Sequence, residues 1–153
     1  MKKRITQLLQ IGTMISTIGF VGSVLIQIFA RFVLSNTPPW TEAASRLCFI
    51  YAISFAAGLA LKDQYYVYLD VFFSRFSKKV QSLLERLIPL LIFFLFGLLA
   101  IFAVPFVQQG WQEQSPSMQI PMAWAFGSML VLGLSIAYYS LLLFLQTFQS
   151  SDV

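Results

Sequence analysis

The sequence predicts an all-α integral membrane protein with four transmembrane helices, both termini cytoplasmic, and a short interfacial helix between the second and third spans. Three observations carry this. Of 153 residues, 58% are hydrophobic and only 10% are charged, whereas soluble domains carry about 25% charged residues. The apolar residues fall into four runs, each long enough to approach the ~20 residues needed to cross a bilayer. Lys and Arg gather at the ends of these runs, eight of the ten on one predicted side. Residues 1–153 form a single four-helix membrane domain, with spans at about 11–30, 42–62, 83–107 and 122–145.

The first span follows Lys2, Lys3 and Arg4, after which no formal charge occurs from Ile5 to Ala30. That run exceeds the 7 to 15 apolar residues of a secretory signal. Gly12, Ser16, Gly19 and Ser23 recur at spacings of four, three and four, so they form one small-residue stripe along which another backbone can approach. Gln27, near the far end, either bonds across a helix pair or has reached the interface.

Pro38 and Pro39 stop the first helix and its exit segment, because a residue before proline is pushed out of the α region. A new helix is expected from Thr41 as N-cap, with Glu42 in the first turn where the helix dipole favours negative charge. Glu42 and Arg46 lie four apart, in the order that favours an ion pair. Two roles suit them: anchoring at the membrane interface or docking of a partner. Only 15 uncharged residues separate Arg46 from Lys62, about 22 Å of helix. The span is therefore complete only if both ends snorkel or if the helix begins back at Trp40. Ala52, Ala56 and Ala60 form a second small-residue stripe beside Ser54 and Gly58. The two stripes are expected to pack on each other or on a partner.

Between Lys62 and Arg86 the chain mixes aromatics with few charges, which suits a segment lying in the interfacial plane. Tyr65, Tyr66 and Tyr68 fit an aromatic belt there. In the third span Pro89 is tolerable near the start, and Pro105 is expected to kink the helix or mark its end. The connection 108–121 carries no Lys or Arg, and the fourth span follows. By the positive-inside rule the side rich in Lys and Arg is cytoplasmic. Trp40, Trp111 and Trp124 then share the opposite interface.

The net charge of +4 reads as membrane orientation, and no nucleic-acid partner is expected. Cys48 is the only cysteine, and histidine is absent. The carboxylates Glu42, Asp63, Asp70, Glu85 and Glu113 lie at helix ends or in connections. No nucleophile elbow, phosphate loop or metal-ligand cluster is found, so an enzyme is not expected and the chain is read as holding no cofactor. A self-sufficient ion-coupled carrier keeps an ionisable group near the midplane; no span here has one. A small homodimeric four-helix exporter of cationic drugs is the alternative of similar size. It too needs an acidic residue within a span, and the first helix lacks one.

Four strings carry a resemblance: Gln27 to Leu34, Pro39 to Leu47 with its Trp40-Thr41-Glu42 and Arg46, Gly58 to Lys62, and Ile120-Pro121-Met122-Ala123-Trp124. Together they resemble the small membrane subunit of TRAP transporters, the tripartite ATP-independent periplasmic carriers, over nearly the whole chain. Ala43 and Asp63 to Tyr66 stand where that family usually has a second acidic residue and a basic, His-containing stretch. The resemblance implies a multi-pass protein of the bacterial inner membrane, in contact with membrane lipid and with two protein partners. One is a large TRAP membrane subunit, which holds the substrate and sodium sites, so that the sodium gradient is used through it. The other is a periplasmic substrate-binding protein delivering organic acids such as C4-dicarboxylates or sialic acid. The small subunit is then a membrane scaffold. On that basis Trp40, Glu42, Arg46 and the two small-residue stripes are candidate contacts with the large subunit. Trp111, Gln112, Glu113 and Gln114 are candidates for docking the binding protein.

Overall fold

A computed structural model describes residues 2–33, 38–63 and 77–149. Four α-helices account for most of them: α1 (Lys2–Val33), α2 (Pro39–Lys62), α3 (Lys78–Gly110) and α4 (Ala123–Gln149). Each is long and apolar enough to cross a membrane. The expected interfacial helix and the tyrosines at 65, 66 and 68 lie outside the described residues.

The helices reach beyond the expected spans. α2 begins at Pro39 rather than at Thr41, and its 24 residues extend about 36 Å, enough to cross roughly 30 Å of hydrocarbon. Proline fits the first helical position because its missing N–H is one that needs no partner there. Pro105 does not end α3, which continues to Gly110 with both prolines inside it.

Contacts run α1 to α2, α2 to α4 and α4 to α3. The helices therefore form an open row with α2 and α4 in the middle. Gly12 lies against Phe55 and Gly19 against Cys48, which makes α1 and α2 antiparallel. Gly58 meets Ser135 and Gly127 meets Tyr51, so α2 and α4 run in the same direction. Gly133 meets Ala100 and Gly110 meets Ala123, so α3 and α4 are antiparallel. The beginning of α1 and the end of α4 consequently share one end of the row. There Leu9, Leu61, Ile136 and Tyr139 form a buried cluster, and the hydroxyls of Thr6 and Tyr139 are 2.9 Å apart.

Hydroxyls and missing side chains hold the middle of the row. A Cβ on Gly58 would stand 2.7 Å from that of Ser135, and the Ser135 hydroxyl donates to the Ser54 carbonyl across the same contact at 3.2 Å. The fully buried Ser140 donates to the Pro89 carbonyl, joining α4 to α3. In hydrocarbon such close backbone approach and interhelical bonds replace the hydrophobic driving force available in water. The outer faces of α1 and α3 remain exposed, with Ile15, Ile18, Leu25, Leu91, Phe94 and Ile101 among their side chains.

Candidate functional site

The chemistry of the chain collects at the end of the row formed by the start of α2 and the connection between α3 and α4. Pro38 is extended, with φ −63° and ψ 123°. Thr41 is fully buried and donates its hydroxyl to the Pro38 carbonyl at 2.8 Å, while its N–H reaches the same oxygen at 3.2 Å. Thr41 thus closes the first turn from inside the helix instead of capping it from outside. Ser45, also buried, donates to the Glu42 carbonyl at 2.9 Å.

This fastening turns Glu42 and Arg46 outward. The Arg46 guanidinium donates to the Glu42 carboxylate, and both side chains are mostly exposed. The pair expected from the spacing is therefore formed. Trp40 projects beside it, half exposed.

Opposite the pair, residues 111–122 fold back on themselves. Gln114 and Pro121 make an isolated antiparallel bridge. The Met122 N–H donates to the Glu113 carbonyl and the Ser115 N–H to the Ile120 carbonyl, each at 2.9 Å. Gln119 makes the turn possible by taking a left-handed conformation, φ +53°, and its N–H closes on the Ser115 carbonyl at 2.8 Å. The fold-back leaves Trp111, Gln112, Glu113 and Gln114 exposed along one arm. Between it and α2 runs a groove of about 390 Å³, bordered by Glu42 and Arg46 and floored by Leu47, Ile50, Met118 and Pro121. Tyr51 ties the two sides together by donating to the Trp124 carbonyl at 2.8 Å.

The structure thus brings Glu42, Arg46 and the 111–122 connection to one end. It distributes the small-residue stripes differently. Gly12 and Gly19 are taken up by α2 within the chain, against Phe55 and Cys48, and Ser23 donates back to the Gly19 carbonyl at 2.8 Å. Ser16 is half-buried on the same stripe. On α2 the buried small residues Ser54 and Gly58 turn to Ser135 of α4, while Ala52, four residues after Cys48 and three before Phe55, lies on the face that meets α1. Ala52, Ala56 and Ala60 are half-buried. Sequence reasoning missed the second close contact, where Gly133, Ala137 and Ser140 of α4 are buried beside α3. Their spacing of four and three is the same signal that marked the stripe on α1.

Among the described residues, no group of three or more His, Cys, Asp or Glu is placed to hold a metal ion. The site offers a zwitterionic pair, indole rings, amides and an apolar groove. These are the materials of a contact surface.

Comparison with individual curated proteins gives no match. A family model described as "Tripartite ATP-independent periplasmic transporters, DctQ component" matches residues 20–150. That match takes in α2, α3, α4 and the second half of α1 from Phe20 on, together with the Glu42–Arg46 end and the 111–122 connection. The chain belongs to the DctQ component family of tripartite ATP-independent periplasmic transporters.

Proposed function

We propose that this chain is the small permease subunit of a sodium-coupled TRAP transporter for organic acids of the C4-dicarboxylate or sialic acid type. It acts as a membrane scaffold for the large transport subunit, which binds sodium and substrate, and it helps to dock the periplasmic substrate-binding protein. Its place is the bacterial inner membrane, with both termini in the cytoplasm.

One observation carries the scaffold reading. Four apolar helices stand in an open row whose outer faces are exposed, while no charged residue interrupts residues 5–30, 47–61, 87–110 or 123–149. A chain that moved an ion or a carboxylate by itself would need a charged or strongly polar site at depth. A chain that enlarges the immobile part of a carrier needs apolar faces and internal rigidity. Small-residue contacts and interhelical hydroxyl bonds supply the rigidity.

The docking role draws on the same end of the row. If it lies in the periplasm, as the distribution of Lys and Arg favours, then Trp111 to Gln114, the Glu42–Arg46 pair and the groove between them face the incoming binding protein. Aromatic and zwitterionic groups suit a surface that must bind and release.

The experiment is affinity purification of the tagged chain from native membranes in mild detergent. A large polytopic subunit recovered in fixed ratio, together with loss of organic-acid uptake when the chain is deleted, is the expected result. A lone chain or homodimer whose deletion leaves uptake intact would refute the scaffold reading.

A further inference from the structure

Leu87, Leu91, Phe94, Leu98, Ile101 and Pro105 follow one another along α3 at alternating spacings of four and three. All six are exposed. The opposite face of the helix, with Ala100 and Ala103 buried, is the one that packs on α4. A repeat averaging 3.5 residues is the geometry of a helix–helix seam, but in a helix apolar on all sides it does not by itself say what covers it. Two further features do.

The first is a carbonyl. Pro105 has no N–H, so the helical bond that would end on the Ile101 carbonyl cannot form. Ile101 is 68% exposed and lies nine residues before the end of α3 at Gly110, about 14 Å of helix. With Trp111 at the interface, that depth is close to the middle of a hydrocarbon layer roughly 30 Å thick. Lipid tails have no donor for a carbonyl at that depth, where backbone groups must be satisfied by protein. Pro89 differs on both counts: the carbonyl that it frees, on Glu85, lies two turns from the start of α3, and α4 reaches this region with the Ser140 hydroxyl.

The second is Gly97, one turn before Ile101. A Cβ on Gly58, Gly110 or Gly133 would fall within 2.6 to 2.9 Å of a neighbouring helix, whereas a Cβ on Gly97 meets nothing within 4 Å. Its missing side chain serves no contact of its own chain. It leaves a notch in the surface of α3 one turn before Ile101.

We propose that this face of α3 receives a transmembrane helix of the large membrane subunit, which lays its backbone over Gly97 and presents a hydroxyl or amide side chain to the Ile101 carbonyl. The proposal rests on the scaffold reading above and names the face it uses. A second copy of the chain paired symmetrically through α3 does not suit the face, because residues 87–107 contain no side-chain donor at all.

The test is co-purification of the tagged full-length chain from native membranes, comparing wild type, Gly97→Leu and Gly22→Leu. Gly22, on α1, also has open space around a built Cβ. Gly97→Leu is expected to lower recovery of the large subunit by about tenfold or more, with the chain itself extracted at the wild-type level, while Gly22→Leu keeps recovery intact. A photo-crosslinking residue at Leu98 is expected to capture the large subunit in otherwise wild-type complex, a readout independent of how Gly97→Leu folds. Full recovery with Gly97→Leu, or a crosslink from position 98 only to lipid or to a second copy, would overturn the assignment of the face. Wild-type chain that brings down no second membrane subunit would overturn the scaffold reading and this face with it.

Discussion

A Cβ placed on Gly19 lies 3.8 Å from the Cβ of Cys48 and 2.9 Å from its Sγ. Disulfides have Cβ separations of about 3.8 Å on average, so Gly19→Cys puts a second thiol within bonding reach of the chain's single cysteine. Mild oxidation of Gly19→Cys is expected to join α1 to α2, seen as loss of both alkylatable thiols and faster migration on a non-reducing gel. Gly22→Cys, with nothing within 4 Å of its Cβ, stays reduced under the same treatment. The opposite pattern would mean that the α1–α2 register is wrong.

The glycines that permit close helix contact should be far more sensitive than those that do not. A methyl on Gly58 would sit 2.7 Å from the Ser135 Cβ and 3.2 Å from its backbone carbon. Relief requires moving α2 and α4 apart, which also lengthens the bond from the Ser135 hydroxyl to the Ser54 carbonyl. Gly58→Ala is therefore expected to cost about 1 to 3 kcal/mol, measured as a lower thermal unfolding temperature in detergent. Gly97→Ala, made in open space, should leave the isolated chain as stable as wild type or slightly more so.

The contrast between these glycines marks the boundary of what the sequence reveals. Run length and charge placement identify all four helices, because crossing hydrocarbon demands many consecutive apolar residues whatever the tertiary packing. The Glu42–Arg46 pair is equally plain, since helical spacing alone puts the two side chains on one face. Helix ends are less so: hydropathy marks the lipid-crossing part, and α1 continues into charged turns that water tolerates. The order of the row is not legible either. Helices apolar on all sides carry no periodic signal for direction, so Gly12, Gly58, Gly97 and Gly133 look alike until the neighbours of each are known. The groove beside Arg46 depends on a fold-back through Gln119 that no local pattern announces.

Arg46→Ala separates stability from assembly. The pair that it breaks is exposed, and an i, i+4 pair of that kind contributes about 0.3 to 0.5 kcal/mol. The isolated chain should then lose only about 1 to 2 °C in its unfolding temperature. If Glu42 and Arg46 hold the outer end of α2 against a partner, recovery of the partner subunits falls much more, while uptake per assembled complex is kept. Full assembly together with normal uptake in Arg46→Ala would exclude that role.

The Tyr51 hydroxyl is the direct link between the body of α2 and the start of α4, through the Trp124 carbonyl. Tyr51→Phe removes the donor while keeping the ring that stacks against Phe55. The expected loss is about 0.5 to 1.5 kcal/mol, accompanied by greater protease access to the 111–122 connection. Unchanged stability and unchanged cleavage would show that this bond does not hold the two helices together.

The orientation of the row follows from charge and can be tested without a partner. Lys3, Arg4, Lys62, Lys78 and Lys79 are exposed at the end where α1 begins and α4 finishes, whereas Arg31 and Arg46 are the only basic residues toward the other end. Short basic segments are retained on the cytoplasmic side during insertion. Alkaline phosphatase fused after Gln114 should therefore be active, because that enzyme folds only in the periplasm, and a fluorescent protein fused after residue 149 should light up in the cytoplasm. If both reporters gave the reverse result, the Glu42–Arg46 end would face the cytoplasm. A periplasmic binding protein could not then reach the groove, and the docking role of Trp111, Gln112, Glu113 and Gln114 would fall while the helix packing stood.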